Sequence, residues 1–334
     1  MKFSSVYKFE KDGCFQMMKF ANINELETTI NQIQYLQQLP NDLKQYFPKV
    51  LEYYVGKNTV WYTMPFYSMN SLNNIICDKS IDLNLVKKVF EVLIDIIFDK
   101  LYNNIIGSVS NDYAEAVYFS RIKKRIKYIC DKRPDLAALV TNETIVINGK
   151  EYYNALCLLK KIEKTNIVKK ITPKFFSFIH GDLETNHILF DIINNNIKIM
   201  LLDPRMSKNG GDYVYDLGKL WQSINGNIGD FLNGNFSVSV KSVNEKLNCE
   251  VNIEYSRSRE ELAELKEFVV QILENKKLVQ KDNNWLFRCE FSEAANFISA
   301  PPFYLGKQYP EKLAELLYLT GVIKLNNICE GEIK

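Results

Sequence analysis

The chain reads as an α+β protein in two unequal lobes, a small β-rich one followed by a larger helical one. Three observations carry this. Residues 1–63 hold strand patterns around one short helical pattern. From Leu72 to about Lys170, apolar residues recur at helical spacing. Two apolar, β-prone runs, FFSFI and IKIMLL, then each end on a polar cluster containing an aspartate, and helical patterns resume to the end.

The elements follow in order. VYKFE and CFQMMKFA flank the turn Lys11-Asp12-Gly13, a hairpin signal. Leu26, Ile30, Ile33 and Leu36 recur at helical spacing and stop at Pro40. YFPKVLEYYVGKNTVWYTMPFY adds two strands around Gly56-Lys57-Asn58. The most hydrophobic run, VFEVLIDIIFDKLYNNIIGSV, is interrupted by Glu91, Asp95, Asp99 and Lys100, so it predicts a buried helix and no membrane span. KKIEKTNIVKK, Lys160 to Lys170, reads as a solvated helix face.

Composition narrows the function classes. A chain of 334 residues exceeds one small core and suits one bilobal unit or two domains. Hydrophobic residues at 46% and charged residues at 25% describe an ordinary soluble protein. The net charge of +2 comes without any dense Lys/Arg tract interleaved with aromatics, so no nucleic-acid partner is expected. Seven scattered cysteines without a C-x-x-C pair argue against a disulfide framework or a zinc knuckle. The start, MKFSSVYKFEKDG, has no apolar signal region, and a cytoplasmic, reduced protein is the expectation.

The chemistry concentrates in FIHGDLETNHILFD, Phe178 to Asp191, and IMLLDPR, Ile199 to Arg205. The first holds both histidines of the chain, His180 and His187, with Asp182 between them. The second ends on Asp203. Two strand ends that deliver carboxylates to one cleft are what phosphoryl transfer needs. One aspartate orients an attacking hydroxyl and accepts its proton; the other holds a divalent cation on triphosphate oxygens.

HGDLETNHILFD resembles the H-G-D-x-x-x-x-N catalytic loop of the aminoglycoside phosphotransferase and choline kinase superfamily, and LLDPR resembles its metal-binding strand end. The D-P-R variant, followed by GGDYVYDLGKL, is similar to phosphotransferase-like proteins of surface-polysaccharide loci. The resemblance covers nearly the whole chain and is strongest over residues 176–220. It implies a bilobal protein-kinase-like fold: residues 1–63 a nucleotide-binding lobe, 64–69 a hinge, and 70–334 a helical lobe with the catalytic loop and acceptor pocket. It also implies ATP, with Mg²⁺ or alternatively Mn²⁺, and a small hydroxyl-bearing acceptor, a sugar or polysaccharide precursor.

Carried over by position, Asp182 is the catalytic aspartate and Asp203 the metal ligand. Arg205 either neutralises transition-state charge or forms a structural salt bridge. His180 holds the catalytic loop, and Asp216 braces it. Lys19 stands where the family keeps its phosphate-contacting lysine. Its partner is either Glu25 or Gln32 on the following helix. Pro65 offers its carbonyl and Tyr67 its N–H to adenine, and backbone amides around Ser4 and Ser5 cover the phosphates. Phe3-Ser4-Ser5 replaces a Gly-Ser-rich turn, and the strand expected before it is missing, through natural abbreviation or a truncated gene model.

His187 occupies the position of the family's second-metal asparagine. It implies an altered metal preference, a one-metal site, lost catalysis, or a buried non-ligand histidine. The acceptor pocket is expected near Tyr118, Arg121 and Arg125. The alternatives are a choline- or aminoglycoside-type kinase, and a nucleotide-binding pseudokinase or scaffold. A protein kinase is disfavoured because neither D-F-G nor A-P-E occurs.

Overall fold

The computed structural model describes residues 5–23, 25–107, 109–110, 112–205, 210–243, 246–330 and 332. The N-terminal region is built from β1 (Ser5–Lys11), β2 (Cys14–Ala21), α1 (Leu26–Gln38), β3 (Glu52–Val55) and β4 (Val60–Pro65). The strands form one antiparallel sheet in the order β1-β2-β4-β3. The first hairpin closes through Asp12 (φ +52°) and Gly13 (φ +73°), a two-residue turn with both central residues left-handed, which matches the twist of the flanking strands. α1 turns Thr29, Gln32, Ile33, Tyr35 and Leu36 inward, in register with its apolar stripe.

Pro65 pairs with Gln16 at the end of β4. Having no N–H, it can occupy only a non-hydrogen-bonded position of an antiparallel ladder. The Phe66 N–H, which donates to the Phe15 carbonyl at 3.0 Å, fits that register. The Pro65 carbonyl is therefore directed away from β2, on a side where β3 has already ended, because β3 pairs no further along β4 than Thr63.

The larger part is mainly helical, as the apolar spacing predicts. One apolar core runs from Ala21, Ile33 and Tyr62 through the helix Leu83–Ile96 to Trp221 and Leu265, so the β-rich and helical parts share packing. A second core joins the helices Ser120–Lys132, Trp285–Ser299 and Leu313–Cys329 through residues such as Ile122, Ile126, Phe291 and Leu316. Among the described residues no helix is long and apolar enough to cross a membrane.

Three stretches depart from the sequence expectation. The helical patterns between Leu72 and Lys170 contain a hairpin, Thr144–Ile147 and Lys150–Tyr153, turning at Asn148 (φ +48°) and Gly149 (φ +80°). The C-terminal part contains a second hairpin, Phe236–Val243 and Lys246–Ile253, whose second strand runs parallel to Thr144–Ile147 and completes a second four-stranded sheet. The run expected to be one buried helix stops at Tyr102, and Ile105–Gly107 leaves it as a strand that pairs with Phe176–Ser177. Of the FFSFI run, only those last two residues, Phe176–Ser177, are strand.

Candidate active site

Asp182 lies in the loop between the strands Phe176–Ser177 and Ile188–Ile193, and the loop is fixed from below. Gly181 (φ +84°) turns the chain in a way a side chain would oppose, so that the His180 and Gly181 N–H groups both donate to Asp216, at 2.7 and 2.8 Å. The Tyr102 hydroxyl donates to the same carboxylate at 3.1 Å. Asp216 is fully buried, and burial pushes its carboxyl up to about 7 against those donors.

His180 is also fully buried. Its Nε2 meets the Leu202 carbonyl at 2.9 Å and its Nδ1 accepts the Asp182 N–H at 3.2 Å, so the ring bears its proton on Nε2. Burial, then the neighbouring His187, lowers its pKa to about 4. The ring stacks on Phe47, and Phe47 and Phe178 both pack on Tyr35 of α1, tying the Asp182 loop to the N-terminal region.

Asp203 follows the strand Asn196–Leu201 by two residues and adopts φ +54°, a left-handed conformation that aspartate tolerates better than most residues. The backbone bonds on either side, Leu202 N–H to the His187 carbonyl and Arg205 N–H to the His180 carbonyl, both at 2.7 Å, bind this turn to the Asp182 loop. Lys19 forms an ion pair with Asp203 and donates to Gln32 Oε1 at 2.9 Å. Gln32 Nε2 donates to Asp203 at 2.6 Å and to the Pro204 carbonyl at 3.0 Å. The residue of α1 that holds Lys19 is thus Gln32, the second of the two expected partners. Glu25 lines the same cavity, and its charge acts on Arg205.

Arg205 Nε approaches Asp182 at 3.2 Å, and its Nη2 lies 3.5 Å from Asp203. Burial raises the carboxyl pKa of both aspartates, but nearby cations outweigh it: Lys219, His187 and Arg205 at Asp182, and Lys19, His187 and Arg205 at Asp203. Both carboxyls are held well below the usual range. Asp182, His187 and Asp203 offer ligand atoms that all lie within 4.8 Å of one another. His187 Nδ1 lies 2.9 Å from the Asp182 backbone carbonyl, which can only accept, so the neutral ring carries its lone pair on Nε2, the nitrogen 3.9 Å from Asp203.

Sequence reasoning missed Lys219. Its Nζ sits 3.0 Å from Asp182 and 2.8 Å from Glu184, nearly buried. It lies one turn beyond Asp216 on the helix Tyr213–Ile224, so the residue that braces the loop from below and the residue that grips its carboxylate share one helix face. The signal was the i, i+3 spacing in YDLGKL. On another side, Gly218 lets this helix pack closely on the helix Trp285–Ser299: a Cβ there would stand 2.4 Å from the Ser292 hydroxyl.

These groups open on one cavity of about 840 Å³. It is lined by Val6, Lys19, Pro65 and Tyr67, by Asp182 and Asp203, and by Arg121, Arg125 and Tyr215. The Tyr67 hydroxyl accepts the Lys49 N–H at 3.3 Å. Ser5 is exposed at the start of β1, paired with Phe20, and Ser4 lies outside the described residues. Tyr118 does not face the cavity. It is 1% exposed and packs edge-on against Phe291 in the second core.

No family profile matches the sequence, and no curated protein matches it. Among solved structures, a choline kinase from Streptococcus pneumoniae aligns with a TM-score of 0.50 at 12% identity, over 96% of this chain and 90% of that one. An ethanolamine kinase from Plasmodium vivax aligns at 0.49 and 12%, over 98% and 79%. An aminoglycoside phosphotransferase from Streptomyces rimosus aligns at 0.48 and 11%, over 90% and 93%. At such identity the likeness defines the fold: an α+β, protein-kinase-like architecture with a sheet-rich N-terminal region and a helical C-terminal region.

Proposed function

We propose that this protein is a cytoplasmic small-molecule kinase that transfers the γ-phosphoryl group of ATP to a hydroxyl of a small metabolite. The observation that carries the reading is the meeting of Lys19, Asp203 and Asp182 in one cavity that the Pro65–Tyr67 segment and groups of the helical region also line. Residues 1–63 are proposed as the nucleotide lobe, 64–69 as the hinge, and 70–334 as the lobe that binds the acceptor. A sugar or surface-polysaccharide precursor is the acceptor class that the D-P-R segment favours.

The residues fit the groups that this reaction requires. The Pro65 carbonyl faces away from β2 and is available to an adenine amine, with the Tyr67 N–H as the neighbouring donor. A cavity of about 840 Å³ lies within the range of nucleotide-sized sites, roughly 300–1,000 Å³. Two carboxylates and an imidazole lone pair form an O,O,N donor set that suits Mg²⁺ or Mn²⁺, the nitrogen favouring Mn²⁺. Asp203 and His187 would hold the cation, which when bound neutralises charge on the triphosphate oxygens.

The chain's own groups supply the rest. Lys19, placed by Gln32, positions the phosphates. Asp182 is kept ionised by Lys219 and Arg205 and is therefore a weak base. It orients the acceptor hydroxyl through a hydrogen bond and takes the proton late, when bond formation to phosphorus has made the hydroxyl acidic. Arg205, between both aspartates, faces the charge that develops on the transferred group. His180 and Asp216 act only through the loop they hold.

The test is ADP release from ATP with Mg²⁺ or Mn²⁺ across hydroxyl acceptors, with ³¹P NMR of the product. Phosphorylated acceptor supports the reading. Absence of both nucleotide binding and ADP release would overturn it. Metal-independent nucleotide binding without turnover would favour a pseudokinase, the reading suggested by His187 at the asparagine position.

A further inference from the structure

Among the described residues, Arg121 is not matched by a carboxylate in the way Lys19, Arg205 and Lys219 are. Lys19 is matched by Asp203, Arg205 by Asp182, and Lys219 by Asp182 and Glu184. Arg121 is held differently. It donates to the Tyr215 hydroxyl at 2.7 Å and to Asn296 Oδ1 at 3.0 Å, lies over the Tyr215 ring at 5.4 Å, and forms no ion pair with any described carboxylate. Its Nε is buried without a partner. Arg125, one turn further along the helix Ser120–Lys132, lies over the Phe303 ring at 4.2 Å. Both arginines line the cavity.

Like charges at i, i+4 on a helix repel. Burial, followed by the charges of Arg121 and Arg205, lowers the Arg125 pKa. The Tyr215 hydroxyl and ring and the Asn296 amide hold the Arg121 guanidinium in place without cancelling its charge. Each Nη of Arg121 keeps a second N–H beyond the bond it already makes, and a planar guanidinium fork matches the oxygens of a carboxylate or phosphate.

One helix connects this group to Asp182. Tyr215, bound by Arg121, and Lys219, bound by Asp182, are four residues apart on Tyr213–Ile224, a separation of about one turn, roughly 6 Å. Both groups therefore reach the same cavity from adjacent turns of that helix.

We propose that the acceptor is an anion: a hydroxyl compound whose carboxylate or phosphate is bound by Arg121 and Arg125 while its hydroxyl meets Asp182. This rests on the phosphotransfer reading of the site and makes choline, ethanolamine and aminoglycosides poor acceptors, since each would bring a cation to two arginines.

The test compares charge-matched acceptors in the ADP-release assay: glucuronate and glucose 1-phosphate against glucose, glycerate and glycerol 3-phosphate against glycerol, with choline and ethanolamine as cations. An anionic member is expected to exceed its neutral counterpart at least tenfold in kcat/KM, and the carboxylate and phosphate arms identify the anion. Arg125→Gln is expected to raise KM for that acceptor at least tenfold, leaving KM for ATP unchanged. Equal or better use of the neutral or cationic members would overturn the proposal, as would an unchanged acceptor KM in Arg125→Gln.

Calorimetric titration of the same compounds separates the two readings. Anion binding that Arg125→Gln loses upholds the anion site even if ATP is never turned over, in which case the phosphotransfer reading alone fails. Absence of binding by every anion, together with absence of turnover, overturns the anion site.

Discussion

Lys219→Met tests the electrostatic frame of the site. The substitution keeps most of the side-chain length and removes the charge between Asp182 at 3.0 Å and Glu184 at 2.8 Å. The Lys219 and Asp182 side chains are 15% and 12% exposed. Removing one partner of a buried pair costs about 3–5 kcal/mol. Here Asp182 keeps Arg205 at 3.2 Å, and the cavity admits water, so a loss of about 1.5–3 kcal/mol is expected. The sign with pH follows from the depressed Asp182 carboxyl. Its contribution is present above the ordinary carboxylate pKa and is lost as pH falls through the folded value, so the penalty of the variant should be greatest near neutrality and shrink in acid. Urea denaturation at pH 7 reads the penalty as a lower midpoint at unchanged slope. Turnover should fall further than ATP affinity, because Asp182 loses the cation that aims it. A variant with the wild-type midpoint and wild-type turnover would refute the claim that Lys219 positions the loop.

Other expectations follow from the same geometry. The chain has only two histidines, so imidazole ¹⁵N NMR reads both: His180 should be an Nε2–H ring, neutral down to about pH 4, and His187 an Nδ1–H ring with a pKa above its ordinary value. Titration of His180 should destabilise the fold as pH drops from about 6.5 to about 4, where the unfolded chain binds the proton and the folded chain does not; two rings titrating together near 6.5 would contradict this. If His187 ligates the cation, Mn²⁺ should outperform Mg²⁺, and His187→Asn should restore a Mg²⁺ preference; an unchanged metal profile in activity assays would show that it is no ligand. Tyr67→Ala should leave ATP affinity nearly unchanged, whereas Tyr67→Pro, which removes the N–H, should weaken it by about 1–3 kcal/mol in calorimetry; equal losses would remove the hinge contact from the account.

The parts of this protein that are written locally were legible. Asp12-Gly13 specified its hairpin because the two-residue turn needs positive φ at both positions. The apolar stripe of α1 appears as its buried face. His180, Asp182, Asp203 and Asp216 meet as the motif spacing implied, because one short loop and two backbone bonds join them. What escaped depended on pairing across the chain. Asn148-Gly149 carries the same turn signal as Asp12-Gly13, but sits among helical patterns, and its strands gain a sheet only by pairing with residues about a hundred positions later. FSVSVKSV alternates with period two, yet its hairpin stands between the helices Ile228–Leu232 and Arg259–Glu274. Lys219 looked like an ordinary helix-face lysine. Only the docking of its helix against the Asp182 loop, through Asp216, brings it onto Asp182. Tyr118, with the right spacing for the pocket wall, rotates into the second core, leaving Arg121 and Arg125 to line the cavity.

The central claim is that Asp182 acts in the chemical step and Asp203 in holding the nucleotide's cation. Asp182→Asn and Asp203→Asn, each assayed for ATP affinity by calorimetry and for turnover by ADP release, separate the two roles most directly. Asp182→Asn should lower turnover by roughly 10²–10⁴-fold and leave ATP affinity nearly intact, because its hydrogen bond to the acceptor matters in the transition state. Asp203→Asn should lose both, since the cation bridges protein and triphosphate. Full turnover surviving Asp182→Asn would contradict the account, for the chemistry would then lie elsewhere than in the HGDLETNH loop.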